Sequence, residues 1–440
     1  MVRCGNAVMP WAQAREEARR LGAQGGCSGA RAVALGGALG AVLARDLTAL
    51  VGVPPYDAAA MDGYAVAGPG PEWTVLGRVL AGAVGAAEAV GRLRNGQAVE
   101  IATGAQVPEG ADAVLPYERA VVAPVGGEPP DGRERVRGEI APGRHVRRAG
   151  EDTFAGETVS PAGTTVTPAL VGLAASLGHD TLLVRRPRVD VLVTGDEIAA
   201  SGRPGAGRVR DAIGPMLPGI AASSGAELVG EPRFLEDGLE PMSAALRAVR
   251  DAGSDVLVVC GASSKGPADH LRAALSAVGA TVVVDGVACR PGHPQLLAYL
   301  GRPEASGGPG ERPSAPAGRS GADDVVAASS GGPGTVVVGL PGNPNAALAA
   351  SATLLIPALR AMAGGPETDT ALPPSMRVKG AVHPHAHDTR LVAVRVAGGQ
   401  AEPVGHDRPG SLRGAALADA YAVIPPGWSG PHAALLWLPR

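Results

Sequence analysis

The segment LPGNPNAA, residues 340–347, follows an apolar run and has the composition of an anion-binding turn. Asn343 is placed to cap a helix that Pro344 starts, because the first helical position needs no N–H donor. Gly342 allows backbone N–H groups to face an anion at the positive end of that helix. The alternative is an ordinary strand-to-helix turn. We predict that Pro341, Gly342 and Asn343 bind an anionic group of a substrate.

The segment GASSKGPADH, residues 261–270, is a second turn of this kind. Gly261 and Gly266 permit close approach of the backbone to a ligand, and Ser264 offers a hydroxyl group. Asp269 lies on the first turn of the helix that follows. Its carboxylate either holds Mg²⁺ against a phosphate or caps the helix, and the sequence leaves both open.

The segment TGDE, residues 194–197, places Asp196 and Glu197 at the end of another apolar run. Adjacent carboxylates suit a metal ion or a polar ligand, but they are also common in loops. The pattern alone does not choose between the two.

The segment CRPGHP, residues 289–294, sets Arg290 and His293 on either side of a Pro–Gly turn. Two potential cations close to the turns described above would form a pocket for an oxyanion. The alternative is a pair of solvated side chains with no ligand.

The segment HPHAHD, residues 383–388, has three histidines at a spacing compatible with a metal site. Asp388 is the one carboxylate within it, so we interpret the segment as a polar loop rather than a metal site. The sequence shows no convincing Ser/His/Asp or Cys/His arrangement for a nucleophile.

The composition limits the class of protein that carries these turns. The chain has 440 residues, of which 45% are hydrophobic and 18% are charged. This predicts a folded protein of about two to four domains. The net charge of −3 and the aromatic content of 2% argue against a nucleic-acid-binding groove.

The cysteines and the N-terminal segment predict the compartment. Cys4, Cys27, Cys260 and Cys289 show no CxxC spacing, and two of them lie in apolar runs, which is typical of reduced thiols. The N-terminal segment WAQAREEARRLG is charged and helical rather than a signal peptide. No apolar run is long enough to cross a membrane. We therefore predict a cytoplasmic protein without a membrane span.

Residues 187–365 alternate short apolar strands with amphipathic helices. This pattern predicts a doubly wound α/β domain with a parallel sheet covered on both faces. Ligands bind such sheets at the carboxyl ends of the strands, where the first three turns lie. The predicted strands are 188–195, 254–261, 281–287 and 335–342, and the predicted helices are 215–225, 239–252, 267–279 and 344–363.

The flanking segments predict smaller units. Residues 31–49 have apolar side chains at helical spacing and predict one amphipathic helix. The Gly- and Pro-rich residues 301–334 predict a flexible insertion without a catalytic role. The predicted domains are an N-terminal helical part of a connector (1–53), a small mostly β domain (54–148), a connector with a helix from Pro168 (149–186), the α/β domain (187–365) and a C-terminal β domain (366–440).

Taken in order, the motifs resemble those of the molybdopterin molybdenumtransferase family, which includes the MoeA proteins and the E domain of gephyrin. The resemblance covers residues 31 to 440. It rests on ALGAVLARDLTALVGVPPYDAAAMDGYAV, ATGAQVPEGADAVLPYE, PGRHVRRAGED, PRVDVLVTGDEI, the GxxSxG…D turn, RPGHP and LPGNP.

The resemblance implies an elongated multi-domain dimer with a molybdopterin-binding α/β domain. The implied reaction inserts molybdenum from molybdate into adenylylated molybdopterin, with loss of AMP and a requirement for Mg²⁺. Molybdoenzymes and an adenylyltransferase are implied as further partners. The implied catalytic residues are Asp62, Glu197, Ser264 and Asp269, with Glu197 and Asp269 also as metal ligands. The implied substrate-binding residues are Thr103, Asp152, Gly261, Gly266, Arg290, His293, Pro341, Gly342, Asn343 and Arg395.

The chain departs from the family pattern at Ala59, Ala262, His293 and Gly414. Several of these positions lie on the molybdate side of the family's site. A non-catalytic molybdopterin-binding or scaffold protein is therefore the alternative function. A stand-alone molybdopterin adenylyltransferase would need the α/β domain alone, and the flanking motifs disfavour it.

Overall fold

The computed structural model describes residues 8–25, 27, 29–122, 134–261, 269–301, 334–365, 375–406 and 408–439. The chain forms two compact units. The first contains the described residues of Met1–Arg45, Pro161–Val171 and Thr181–Arg440, and the second those of Asp46–Ser160 and Gly172–Asp180. The predicted insertion at 301–334 lies outside the described residues except for its two end glycines.

Each helix predicted in the α/β region has an observed counterpart. The helices are α1 Trp11–Gly25, α2 Ala86–Val90, α3 Pro168–Ser176, α4 Leu217–Ser223, α5 Leu239–Ala252, α6 Leu271–Ala277, α7 Pro344–Ala350 and α8 Ile356–Ala363. Short 3-10 turns cover Leu35–Gly37, Tyr117–Arg119, Gly214–Met216 and Ala415–Leu417, and a π-helical segment, Ser351–Leu355, joins α7 to α8. The helix predicted at 239–252 has those bounds, and the one predicted at 344–363 contains the π-helical segment.

The strands are short and numerous, as the glycine and proline content predicts. Up to residue 185 they are β1 Met9–Pro10, β2 Ala30–Ala34, β3 Val42–Leu43, β4 Leu47–Thr48, β5 Ala58–Ala59, β6 Gly63–Val66, β7 Glu72–Val79, β8 Gln97–Ile101, β9 Ala113–Pro116, β10 Val121–Val122, β11 Arg135–Arg137, β12 Val146–Arg147, β13 Thr158–Ser160 and β14 Thr181–Arg185. Beyond it they are β15 Arg188–Thr194, β16 Ile198–Ala199, β17 Val209–Arg210, β18 Glu227–Leu228, β19 Arg233–Leu235, β20 Val256–Cys260, β21 Thr281–Asp285, β22 Val287–Arg290, β23 Leu296–Leu300, β24 Thr335–Leu340, β25 Met376–Val378, β26 Thr389–Ala397, β27 Gln400–Pro403, β28 Ala420–Ile424 and β29 His432–Trp437.

The central sheet of the first unit has the order β18-β15-β20-β24-β23-β21, with β19 beside β15. The strands β15, β20 and β24 are parallel neighbours, which confirms the α/β prediction. The sheet is mixed, however, because β23 runs antiparallel to both β21 and β24. Strand β23, with residues LLAYL, begins one residue after the RPGHP turn and was not among the predicted strands.

The apolar run predicted as one strand at 281–287 is two strands in two sheets. Gly286 separates them with a φ of +91°, a conformation that favours glycine. Strand β21 stays in the central sheet, whereas β22 pairs with β1 and β26. Strand β22 thereby joins the predicted C-terminal β structure, whose sheet order is β1-β22-β26-β27-β25-β29-β28.

The helix predicted at 31–49 is wrong. Its first residues form β2, which pairs antiparallel with β14, and β3 pairs with the same strand. A glycine turn separates the two strands, with Gly40 at φ +79°. Glycines weaken a helix by about 1 kcal/mol each, so strand pairing prevails over the apolar spacing.

Helix α1 packs in the core of the α/β structure, and the assignment of 1–53 to a connector stays a prediction. Its apolar face, Trp11, Ala14, Ala18 and Leu21, is buried against α8 and the central sheet. The Trp11 indole N–H donates to the Thr353 hydroxyl at 3.0 Å. The helical spacing of these apolar residues explains the burial. The other predicted domain boundaries stay predictions.

The helical stretch 344–363 is long and apolar enough to cross a membrane by length and composition. Within the protein, 78% of that window is buried. It is therefore a core helix, packed against α1 and the central sheet.

In the second unit, the order β10-β11-β7-β8-β6-β9 makes a six-stranded sheet. Trp73 and Val99 are among its buried side chains. The predicted mostly β character of this segment is confirmed.

Candidate functional site

The carboxyl ends of β15, β20 and β24 border a cavity of about 730 Å³. Because the three strands are parallel neighbours, the turns that follow them meet at one edge of the sheet. The predicted site residues that line this cavity are Glu197, Gly261, Pro341, Gly342 and Asn343. The structure thus brings together one part of the predicted site.

Gly261 is one of the residues that line the cavity. Its φ is +95°, and a Cβ atom there would lie 2.6 Å from the carbonyl oxygen of Thr194. Only glycine fits this approach of β20 to β15 without strain. Close approach of a ligand to the Gly261 backbone stays a prediction.

The Glu197 carboxylate is exposed at the cavity. It follows a turn at Gly195, whose φ is +123°. Among the described residues, no hydrogen-bond donor or cation is paired with the carboxylate of Glu197. It is therefore available to a ligand.

Asp211 is a second carboxylate of the cavity, and the sequence analysis missed it. Its Oδ1 accepts the N–H groups of Ile213 at 2.9 Å and Gly214 at 3.0 Å, which caps the turn leading into α4. Its Oδ2 accepts no hydrogen bond within the described part of the chain. An Asp three residues before a Gly-Pro helix start was the signal available in the sequence.

The start of α7 differs from the predicted anion site. The N–H groups of Asn345 and Ala346 donate to the carbonyl oxygen of Pro409, at 2.9 Å and 3.2 Å. Pro344 has no N–H, and the next donor, Ala347, already bonds within the helix. The helix end is thus capped by the chain itself, although the turn before it lines the cavity.

Asn345 also fixes the C-terminal segment at this place. Its amide donates to the carbonyl of Arg408 at 3.2 Å and accepts the hydroxyl of Tyr421 at 2.8 Å. Gly410, two residues after Arg408, completes the cavity wall. Asn345 is buried, so these bonds form away from solvent and hold the wall in position.

The RPGHP turn does not reach the cavity with its charged side chains. Pro294 lines the cavity, but within the described residues Arg290 and His293 do not. Arg290 lies on β22 and its Nε donates to Asp388 at 2.7 Å. The Asp388 carboxylate, which is buried, lies 3.3 Å from His385 Nδ1. The HPHAHD segment is thus the partner of Arg290, and no metal-binding cluster is found in the described ranges.

Three family models match successive regions of the chain. They describe the MoeA N-terminal region (domains I and II) at residues 9–178, a probable molybdopterin-binding domain at 190–361 and the MoeA C-terminal region (domain IV) at 375–432. The chain is also 33% identical over 342 residues to molybdopterin molybdenumtransferase 2 of Mycobacterium tuberculosis, which covers 75% of this chain and 74% of that protein. The chain belongs to the MoeA family.

Other MoeA relatives match over more of the chain. Molybdopterin molybdenumtransferase of Bacillus subtilis is 28% identical over 415 residues, with 90% of this chain and 86% of that protein covered. Two crystal structures of molybdopterin biosynthesis MoeA proteins from Pyrococcus horikoshii have TM-scores of 0.69 and 0.67 at 24% and 20% identity. They cover 99% and 98% of this chain and all of theirs, which confirms the MoeA fold.

Asp269 lies at the start of α6 with a side chain that is 3% exposed. Its Oδ1 accepts the N–H of Leu271 at 3.2 Å, and its Oδ2 lies 3.6 Å from Arg272. Arg272 also bonds to Asp285 at 2.6 Å. The Asp269 carboxylate thus contacts the first residue of α6, and its binding of Mg²⁺ stays a prediction. Ser264, Gly266 and Ala262 lie outside the described residues.

In the second unit of this MoeA chain, Asp62 and Thr103 come together. Asp62 Oδ1 accepts the Thr103 N–H at 2.6 Å and the Thr103 hydroxyl at 2.9 Å. These two donors lower the pKa of Asp62 below its usual value. Asp152 pairs with Arg147 instead. Asp62 and Thr103 thus form one polar pair, and Asp152 belongs to a separate ion pair.

Gly414 is explained by packing. It is buried at the start of the turn Ala415–Leu417, and a Cβ atom there would lie 2.9 Å from the carbonyl oxygen of Val404. A serine would therefore displace the backbone. Arg395 is exposed and donates to the carbonyl of Leu417 at 3.4 Å, outside the cavity lining.

Cys260 is one of the residues that line the cavity, and it is buried. Burial, together with the nearby Asp211 carboxylate, raises the pKa of the Cys260 thiol well above its usual value. Cys27, Cys260 and Cys289, the cysteines that the structure describes, are free thiols, as predicted. A second cavity, of about 490 Å³, is lined by apolar side chains such as Met216 and Leu348 and carries no charged group among its described lining residues.

Proposed function

We propose that this MoeA-family protein is a molybdopterin molybdenumtransferase, a transferase of molybdenum cofactor biosynthesis. Its curated relatives bear this name, and its α/β region matches a probable molybdopterin-binding domain. The observation that carries the proposal is the cavity at the carboxyl ends of three parallel strands, where Glu197 and Asp211 present carboxylate oxygens. The substrates would be adenylylated molybdopterin and molybdate.

In the proposed reaction, an oxygen atom from water or molybdate bonds to phosphorus as the phosphoanhydride bond breaks, and AMP leaves. The two dithiolene sulfurs bond to molybdenum and replace one oxygen of molybdate, which departs as one water molecule with the two thiol protons. The chain's task is to hold the pyrophosphate and the oxyanion in one place, so no protein nucleophile is needed.

The donor set of the cavity fits Mg²⁺. This ion usually takes one or two carboxylates and completes its shell with water and substrate phosphates. Glu197 and Oδ2 of Asp211 offer two such ligands without breaking a described contact. A bound Mg²⁺ would neutralise charge on the phosphoanhydride oxygens. Asp269 stays a predicted ligand, and binding by it would compete with its contact to Arg272.

The test has two parts. Expression of this chain in cells that lack their own molybdenumtransferase should restore molybdoenzyme activity. The purified protein should release AMP from adenylylated molybdopterin when Mg²⁺ and molybdate are present. Failure of both assays with folded protein would contradict the proposal.

The second candidate is a molybdopterin-binding protein without turnover. It is favoured by one observation, that the predicted cations Arg290 and His293 do not line the cavity. It predicts that molybdopterin binds and that no AMP is released. The MoeA resemblance also implies a cytoplasmic homodimer, which belongs to the same proposal. Light scattering of the purified protein tests whether it is a dimer.

A further inference from the structure

Arg210 is the cation of the cavity. It lines the space together with Glu197 and Asp211, and it carries the one positive charge among the described lining residues. It lies on β17, which pairs in parallel with β16 beyond the end of β15. Arg210 is not among the site residues predicted from the sequence.

The guanidinium group of Arg210 is fixed by one hydrogen bond to the backbone, and its other edge is available to bind a ligand. Its Nη1 donates to the carbonyl oxygen of Ala199 at 3.0 Å. No ion pair with any described carboxylate satisfies the rest of the group, and the side chain is exposed. The edge formed by Nε and Nη2 therefore keeps the two parallel N–H donors that suit an oxyanion.

Arg290 shows the opposite state. Its Nε, half of the same edge, bonds to Asp388 at 2.7 Å. A guanidinium that is neutralised by a buried carboxylate has less to offer an anion than one without an ion pair. Among the described residues, the cavity thus receives its positive charge from the turn after β15 rather than from the RPGHP turn.

We propose that Arg210 binds a tetrahedral oxyanion at the mouth of this cavity through its Nε–Nη2 edge. The inference rests on the proposed function and deepens it by naming the group that holds the anionic part of the substrate. Two ligands share the required chemistry, a phosphate group of the nucleotide and free molybdate. Both present oxygens at the spacing of the guanidinium fork.

Arg208 provides a matched control. It lies on the same turn, is exposed, and donates from Nη2 to the carbonyl oxygen of Ile198 at 2.9 Å. Arg208 is not among the described residues that line the cavity. Arg208→Gln therefore removes one positive charge and one backbone hydrogen bond from the turn without changing the cavity lining.

The experiment measures binding of AMP and of molybdate, separately, by calorimetry at fixed ionic strength. Arg210→Gln should weaken binding of at least one probe by about tenfold to a hundredfold, because a charged, bidentate contact is lost. Arg210→Lys should recover part of the affinity, since a point charge lacks the fork. Arg208→Gln should change the affinity by less than about threefold, because salt screens an exposed charge that does not contact the ligand.

Each outcome decides the proposal. A loss confined to AMP identifies the phosphate as the ligand of Arg210, and a loss confined to molybdate identifies the oxyanion substrate. Equal losses in Arg210→Gln and Arg208→Gln, no loss in Arg210→Gln, or no binding of either probe to the unmodified protein would overturn it. If Arg210→Gln weakens binding as expected but the chain fails to complement, the proposed reaction is contradicted and the oxyanion site still stands.

Discussion

Two turns of the α/β region have similar residues and different positions. The turn after β15 brings Glu197, Arg210 and Asp211 to the cavity. The RPGHP turn carries Arg290 and His293, yet it contributes only Pro294 to the described lining. The difference lies in the strands that precede the turns, since β15 belongs to the central parallel strands and β22 to another sheet. A charged turn therefore contributes its side chains to this cavity when the strand before it ends at the cavity.

The largest expected effect is on Glu197. Glu197→Gln removes a carboxylate charge from the cavity and should lower the rate of AMP release by at least about 100-fold. Asp196→Asn is the control, because the Asp196 carboxylate accepts the N–H of Asp237, at 3.3 Å, and is not part of the described cavity lining. AMP release measured with both purified variants tests the comparison. Similar losses in the two variants would place the effect in the turn rather than in the cavity.

Two glycines with positive φ allow the cavity edge to be compared with the RPGHP turn. Gly261 has a φ of +95° at the cavity, and Gly292 has a φ of +107° in the RPGHP turn. Replacement of either by alanine should lower the free energy of unfolding by about 1–3 kcal/mol. Only Gly261→Ala should also weaken AMP binding, because Gly292 is not among the described residues that line the cavity. Denaturant unfolding and calorimetry measure the two effects, and an equal loss of AMP affinity in Gly292→Ala would contradict this division.

The Arg290–Asp388 pair should stabilise the fold by a smaller amount. The Arg290 side chain is 61% exposed, so solvent weakens the pair and the expected contribution is about 1 kcal/mol or less. A double-mutant cycle with Arg290→Gln and Asp388→Asn isolates this coupling in the free energy of unfolding. A coupling of zero, accompanied by a loss of molybdate affinity in Arg290→Gln greater than in Arg210→Gln, would reverse the roles assigned to the two arginines.

The smallest effect concerns two buried thiols, Cys260 at the cavity edge and Cys289 just before the RPGHP turn. Burial raises the pKa of Cys260 and Cys289, with Asp211 and Asp388 as the respective additional causes. A raised pKa keeps both thiols neutral in the folded protein, so their contribution to stability is full below pH 9.0, the unshifted value, and declines above it. Iodoacetamide at pH 8 should modify neither thiol before unfolding. Mass spectrometry that finds Cys289 modified in native protein would show that the RPGHP turn opens more readily than the cavity edge.

The sequence predicted the α/β elements well because their signal is local. Continuous apolar runs mark β15, β20 and β24, and apolar spacing marks α5. The segment 31–49 failed for a non-local reason, since its spacing is helical while its partner β14 lies far away in the chain. The local sequence of either strand does not indicate that it pairs with a segment far away in the chain.

The candidate site was predictable where a residue follows a central strand directly. Glu197, Gly261 and Asn343 satisfy this condition. Arg210 and Asp211 reach the cavity after an intervening turn, so the strand pattern alone does not indicate them. Arg290 was misplaced because the change of sheet depends on the φ of a single residue, Gly286.

The carbonyl of Pro409 at the start of α7 also bears on how such a chain is assembled in evolution. Asn345 and Ala346 donate to it from the α/β region, and Asn345 reaches Tyr421 of the C-terminal sheet. A recombination event that joined this α/β region to an unrelated C-terminal module would leave two backbone donors and a buried amide without acceptors. A gene fragment that ends before residue 408 therefore separates the cavity from part of its own wall.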